Sequence, residues 1–205
     1  MKNEQLQKQL NYIGGCVLIA FPVVLTIEDL YSTEVSPLKF LAGLFAVWLF
    51  AVSIFELARL VWSYHPRVSI VAGAIGLAGT FGSVSIMAFR FVIGTIKQAE
   101  GAIGNPEQFN SAVGKISPFI FLPGLIPPMI LIILAAILLK HRKEARWAWA
   151  LVCVGALLFP AGRIFFGQPV VLLSDALLLV SLGYMGWQML SGNRNEQLLL
   201  ETNAA

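Results

Sequence analysis

Charge is scarce in this sequence: only 12% of its 205 residues are Asp, Glu, Lys or Arg, 58% are hydrophobic, and the mean hydropathy is +0.79. A soluble globular domain carries about twice that share of charge, so the composition excludes one and points to an integral membrane protein. Histidine is nearly missing too. The two present, His65 and His141, fall in polar turns, so no helix interior can supply the axial pair of a membrane haem. The two cysteines, Cys16 and Cys153, lie in separate apolar runs and read as buried free thiols instead of a disulfide or half of a metal site. No lysine falls within a bundle interior to carry a retinal Schiff base, and HExxH, GxSxG and a glycine-rich loop followed by Lys are all lacking. The expectation is no cofactor, no metal and no catalytic residue. The formal charge of +3 comes mostly from basic residues at the borders of apolar runs, which is a topology signal and not a nucleic-acid footprint.

What is present is a series of long apolar runs without the alternation of a transmembrane barrel. They predict an all-α, polytopic bundle of six transmembrane helices over about 12–27, 37–62, 68–96, 118–139, 147–166 and 170–190, one transmembrane domain filling 1–205. The first has a basic flank but no convincing small-x-small cleavage site before Glu28, so it reads as a signal-anchor. Residues 97–117 form an outer loop, in which Asn105, Pro106, Phe109, Val113 and Ile116 are spaced for a short amphipathic helix, and 191–205 is a polar, mobile tail. Pro118, Pro123, Gly124, Pro127 and Pro128 break the first half of helix four. Nine Lys or Arg fall on one side (2, 8, 59, 67, 140, 142, 143, 146, 194) and three on the other (39, 97, 115), which places both termini in the cytoplasm of a plasma (inner) membrane. Trp62, Trp147, Trp149 and Trp187 fall at the same cytoplasmic border, as an aromatic belt.

Helix three carries Gly73, Gly76, Gly79 and Gly82 at every third residue. A three-residue step turns about 300°, so these glycines wind round the helix and let neighbours approach on two sides, as suits a central helix. Arg90 and Arg163 stand in similar contexts 73 residues apart, which either a duplicated hairpin or chance in an apolar chain explains. Glu56 and Arg59 are spaced for a local salt bridge, and Ser83, Ser85 and Ser174 suit packing better than nucleophilic catalysis.

The candidate site lies in the outward half, where Arg90, Arg163 and Asp175 coincide with the broken stretch of helix four. A charge at membrane depth costs about 2.5 to 3.5 kcal/mol on insertion scales, and irregular backbone survives there only beside protein or a wet cavity. A polar pocket meets both needs: Arg90 and Arg163 hold an anionic group, Asp175 orients an arginine, and backbone freed around Pro123, Pro127 and Pro128 adds hydrogen bonds. The structural alternative is a salt bridge between Arg163 and Asp175, which fall at similar depth, with Glu28, Asp29 or Asp175 as the partner of Arg90. The functional expectation is a small transporter or ligand-binding membrane subunit for an anionic or amphipathic small molecule. A membrane-embedded enzyme acting on a lipid or isoprenoid, or an accessory subunit of a larger complex, are the alternatives. Partners are membrane lipids, that small ligand, and further subunits.

Overall fold

The computed structural model describes residues 2–30, 37–98, 122–143 and 145–191. Six α-helices occupy them: α1 (Lys2–Leu30), α2 (Pro37–Val61), α3 (Pro66–Gln98), α4 (Ile126–His141), α5 (Arg146–Ala161) and α6 (Gln168–Leu190). A helical turn at 122–124 precedes α4, and a π-helical turn, Gly162–Phe166, continues α5. The described residues thus hold six helices long and apolar enough to cross a membrane. The amphipathic segment expected around Phe109 and the tail beyond Ser191 lie outside the described residues.

Five helices close a ring in the order α1, α6, α5, α4, α2 and back to α1, while α3 touches only α2 and α4 among the described elements. The glycine-rich helix is therefore peripheral, not central. Its glycines do serve two neighbours: a Cβ on Gly76 would stand 2.7 Å from Ile54 of α2, and one on Gly79 would stand 2.7 Å from Pro127 of α4. The rest of the helix presents Ile70, Val71, Ile75 and Phe81 outward.

Another close helix crossing joins α1 and α6. At Gly15 of α1 and Gly186 of α6 the backbones touch: a Cβ on either glycine would lie 2.8 Å or less from the other's carbonyl oxygen. For helices in lipid, apolar burial would give no reason to associate, and small-residue crossings and interhelical hydrogen bonds of this kind would hold the ring. The Ser174 hydroxyl donates to the Gly155 carbonyl at 2.9 Å, tying α6 to α5, and Ser69 donates to the Ala58 carbonyl at 2.6 Å, tying α3 to α2. Arg59 pairs with Glu56 at 2.9 Å and also donates to Asn11 of α1 at 2.9 Å, so the local pair is part of a tie between helices.

Three differences from the sequence reading concern helix ends and faces. The first helix runs from Lys2 to Leu30 and not from 12 to 27; Gln, Lys and Leu favour helix at its polar start, and at its far end Glu28 and Asp29 turn inward. Trp149 is fully buried in the ring and not part of a border belt, whereas Trp62, Trp147 and Trp187 are exposed. Cys16 is exposed on the outer face of α1, not buried.

A candidate ligand cavity at the Arg163 end

The end of the bundle where α1, α3 and α5 finish and α2, α4 and α6 begin holds a cavity with about 740 Å³ of empty space, part of it open to the exterior. Its walls are mostly apolar. Phe21 stacks on Phe50 with ring centres 4.7 Å apart, and Phe159 tilts against Phe50 at 6.0 Å, so α1, α2 and α5 each contribute one aromatic. Ser83, Ile86 and Met87 of α3 close another side, and Gly124 and Leu125 fill the approach to α4.

Arg163 is the charged residue in this lining, and backbone irregularity puts it there. Pro160 lacks an N–H and interrupts the helical ladder of α5, which then widens into a π turn closed by the Gly167 N–H donating to the Gly162 carbonyl at 2.8 Å. Gly167 ends the turn at φ 75°, a left-handed conformation that suits glycine. Gly162 admits no side chain, because a Cβ there would meet the backbone nitrogen of Val171 at 2.8 Å.

The guanidinium of Arg163 forms an ion pair with Asp29 of α1 through Nη2, donates from Nη1 to the Phe159 carbonyl at 3.4 Å, and lies over the Phe159 ring at 3.8 Å. Asp29 thus takes the place that spacing suggested for Asp175. Gln168 donates from its side chain to the Asp29 carbonyl at 2.6 Å, fixing the end of α1 against the start of α6. Of five guanidinium N–H donors, these contacts occupy two, so donors remain for a group entering the cavity. Asp175 is fully buried on α6, and neither carboxyl oxygen accepts a hydrogen bond. Its electrostatic neighbours are Asp29, Arg163 and Glu28.

The predicted site residues are therefore only partly assembled. Arg163 lines the cavity and pairs with Asp29, whereas Asp175 is fully buried on α6 with no hydrogen-bond partner. Arg90 is on α3, and its side chain lies outside the described residues. Pro127 and Pro128 are buried in the first turn of α4, where a missing N–H is harmless, and Pro123 packs against Gly82. These prolines back the cavity without lining it; the lining atoms come from Gly124 and Leu125. Because Pro127 and Pro128 have no N–H, the carbonyls of Pro123 and Gly124 lack the donor a regular helix would give them.

Sequence reasoning named Asp29 only as a possible partner of Arg90, and missed Gln168 and the three aromatics. A signal for Asp29 existed: Leu18, Phe21 and Leu25 are buried at helical spacing, and the next step of that pattern falls on Glu28 and Asp29. At the opposite end, Tyr64 stacks on His141 at 4.7 Å and His65 meets the same ring edge-on at 5.3 Å, joining two turns. Among the described residues no group of three or more His, Cys, Asp or Glu side chains could hold a metal ion. Comparison with protein-family models, with characterised proteins and with solved structures finds no match, so the chemistry of this cavity is read from its geometry alone.

Proposed function

We propose that this chain is an integral membrane protein, with both termini in the cytoplasm, that binds an amphipathic small molecule with an anionic or strongly polar head as a transporter or ligand-binding membrane subunit. The observation that carries this reading is the guanidinium of Arg163, the one charged group among the described lining residues, at the edge of a mostly apolar cavity. Phe21, Phe50 and Phe159 suit an apolar body, and an arginine suits a carboxylate or phosphate, which it grips with two parallel hydrogen bonds. A small, wholly polar anion would leave most of this wall unmatched. Arg90 remains part of the proposal, because Ser83, Ile86 and Met87 line the cavity and position 90 follows on the same helical face.

Native mass spectrometry of protein extracted from its membrane should find a bound amphiphile, and adding a long-chain fatty acid should saturate the emptied site. Ala46→Phe, which fills the cavity from α2, should abolish both. Equal retention by the variant would place the ligand elsewhere, and a wild-type protein that binds no amphiphile would remove the reading.

A further inference from the structure

The end of the bundle opposite the cavity gathers positive charge from two turns that are far apart in sequence. Tyr64 stacks on His141 with ring centres 4.7 Å apart and His65 meets the same ring at 5.3 Å, so the turn between α2 and α3 is held against the end of α4. Arg67 follows that first turn, and Lys140, Arg142, Lys143 and Arg146 surround the second, which leads from α4 into α5. Glu56, the described acid on α2 towards this end, is already paired with Arg59. Helix electrostatics alone disfavours this arrangement. Both α3 and α5 begin here without an acidic residue in the first turn, and no side chain caps α5. A helix start carries about half a unit of positive charge and is stabilised by Asp or Glu, yet Arg67 and Arg146 add a cation to each. What is wrong for the two helices suits an anion, which free N–H groups at helix starts and arginine side chains both attract.

We propose that these joined turns bind the headgroup of one anionic phospholipid, whose acyl chains lie along the outer faces of α3 and α4. The apolar surface next to the charge is what selects a lipid. Exposed Val71 and Ile75 follow Arg67 at steps of four residues, which keeps all three on one face of α3. On α4, exposed Met129 and Ile133 precede Lys140 at helical spacing, again on one face, and the two helices are in contact. Each stripe thus runs from apolar side chains to a cation at the end of a membrane-length helix, the depth at which a bilayer places its phosphates. Exposed Trp62 and Trp147 stand at the same two turns, as aromatics at a headgroup boundary do. A soluble anion would use the charge and leave both stripes unmatched. In the orientation proposed above this end is cytoplasmic, and the cytoplasmic leaflet is the one rich in anionic lipid. The site is separate from the cavity and requires nothing of it.

Native mass spectrometry of the full-length protein, titrated with phosphatidylglycerol and with phosphatidylcholine of the same acyl chains, tests the site. Wild type should retain one phosphatidylglycerol in preference to phosphatidylcholine. Arg67→Gln and Lys140→Gln, which act on different turns, should each weaken that preference about fivefold, the worth of one basic side chain at an anionic membrane surface. Arg67, Lys140 and Lys8 are all exposed, so these substitutions leave the packed core untouched. Lys8→Gln removes the same charge from α1, which touches neither α3 nor α4 among the described elements, and should change nothing. His141→Ala removes the ring that joins the turns and none of the Lys or Arg charge, and it should weaken the preference as Arg67→Gln does. Several results would overturn the site. Equal losses from Lys8→Gln would mean a diffuse positive field, and a loss from Lys140→Gln alone would confine binding to one turn. Wild-type binding by His141→Ala would mean that the turns do not act together. Equal retention of the two lipids by wild type, or release of phosphatidylglycerol by millimolar inorganic phosphate, would remove the lipid as occupant.

Discussion

Arg163 has two tasks that make opposite demands. Its ion pair with Asp29 joins the π turn to α1, and its side chain also belongs to the cavity lining. Both members are mostly buried, so removing one leaves the other uncompensated, at roughly 3 to 5 kcal/mol. Arg163→Gln should therefore lower the melting temperature sharply, and adding Asp29→Asn should restore most of the loss. If the second substitution rescued nothing, the ion pair would not be what holds this corner. Trp149 makes a contrasting case, because it is buried with no partner for its indole N–H, and nothing in the structure explains that orphaned donor.

Among the helices, packing is decided by where a Cβ would fit. At Gly186 it would strike the Gly15 carbonyl oxygen at 2.5 Å, whereas at Gly73 it would meet Phe55 at an ordinary 3.5 Å. Gly186→Ala must push α1 and α6 apart and should cost about 1 to 3 kcal/mol. Gly73→Ala should be neutral or slightly stabilising, because alanine is the better helix former. Chemical or thermal unfolding in detergent separates the two, and equal effects would contradict the crossing. This contrast also explains what was legible beforehand. Run lengths and hydropathy reveal the helices, and the spacing of Gly73 to Gly82 reveals close contacts on two sides of α3. Neither reveals which helix is enclosed, because that depends on contacts between distant segments: Gly15 and Gly186, in no visible series, mark a crossing as close as those of the regular glycines. Arg163 and Asp175 are recognisable as charges at depth, but Asp29, the partner of Arg163, falls in what reads as a polar connection where the helix in fact continues. The aromatic walls were hidden for a simpler reason. In a chain this apolar, Phe21, Phe50 and Phe159 differ from lipid-facing phenylalanines only in where the fold turns them.

Taken together, the described residues form a ring of five helices with a sixth at its side, broken backbone at one end and stacked turns at the other. Exposed Trp48, Phe81 and Phe165 suit a lipid-facing exterior, and in the orientation proposed above the cavity occupies the outward end. A cytoplasm-only reporter fused to the C-terminus should be active, and an inactive one would invert that orientation. The binding reading meets its sharpest trial in the double variant Arg163→Gln with Asp29→Asn, which leaves the cavity walls intact and the corner without its charge pair. Affinity for a long-chain fatty acid and for the alcohol of the same length is to be measured on wild type and on this variant. Wild type should prefer the acid, and the double variant should keep its affinity for the alcohol while losing that preference, by about tenfold or more for a lost charge-assisted contact of 1.5 to 3 kcal/mol. An unchanged preference for the acid in a folded double variant would contradict the role given to Arg163.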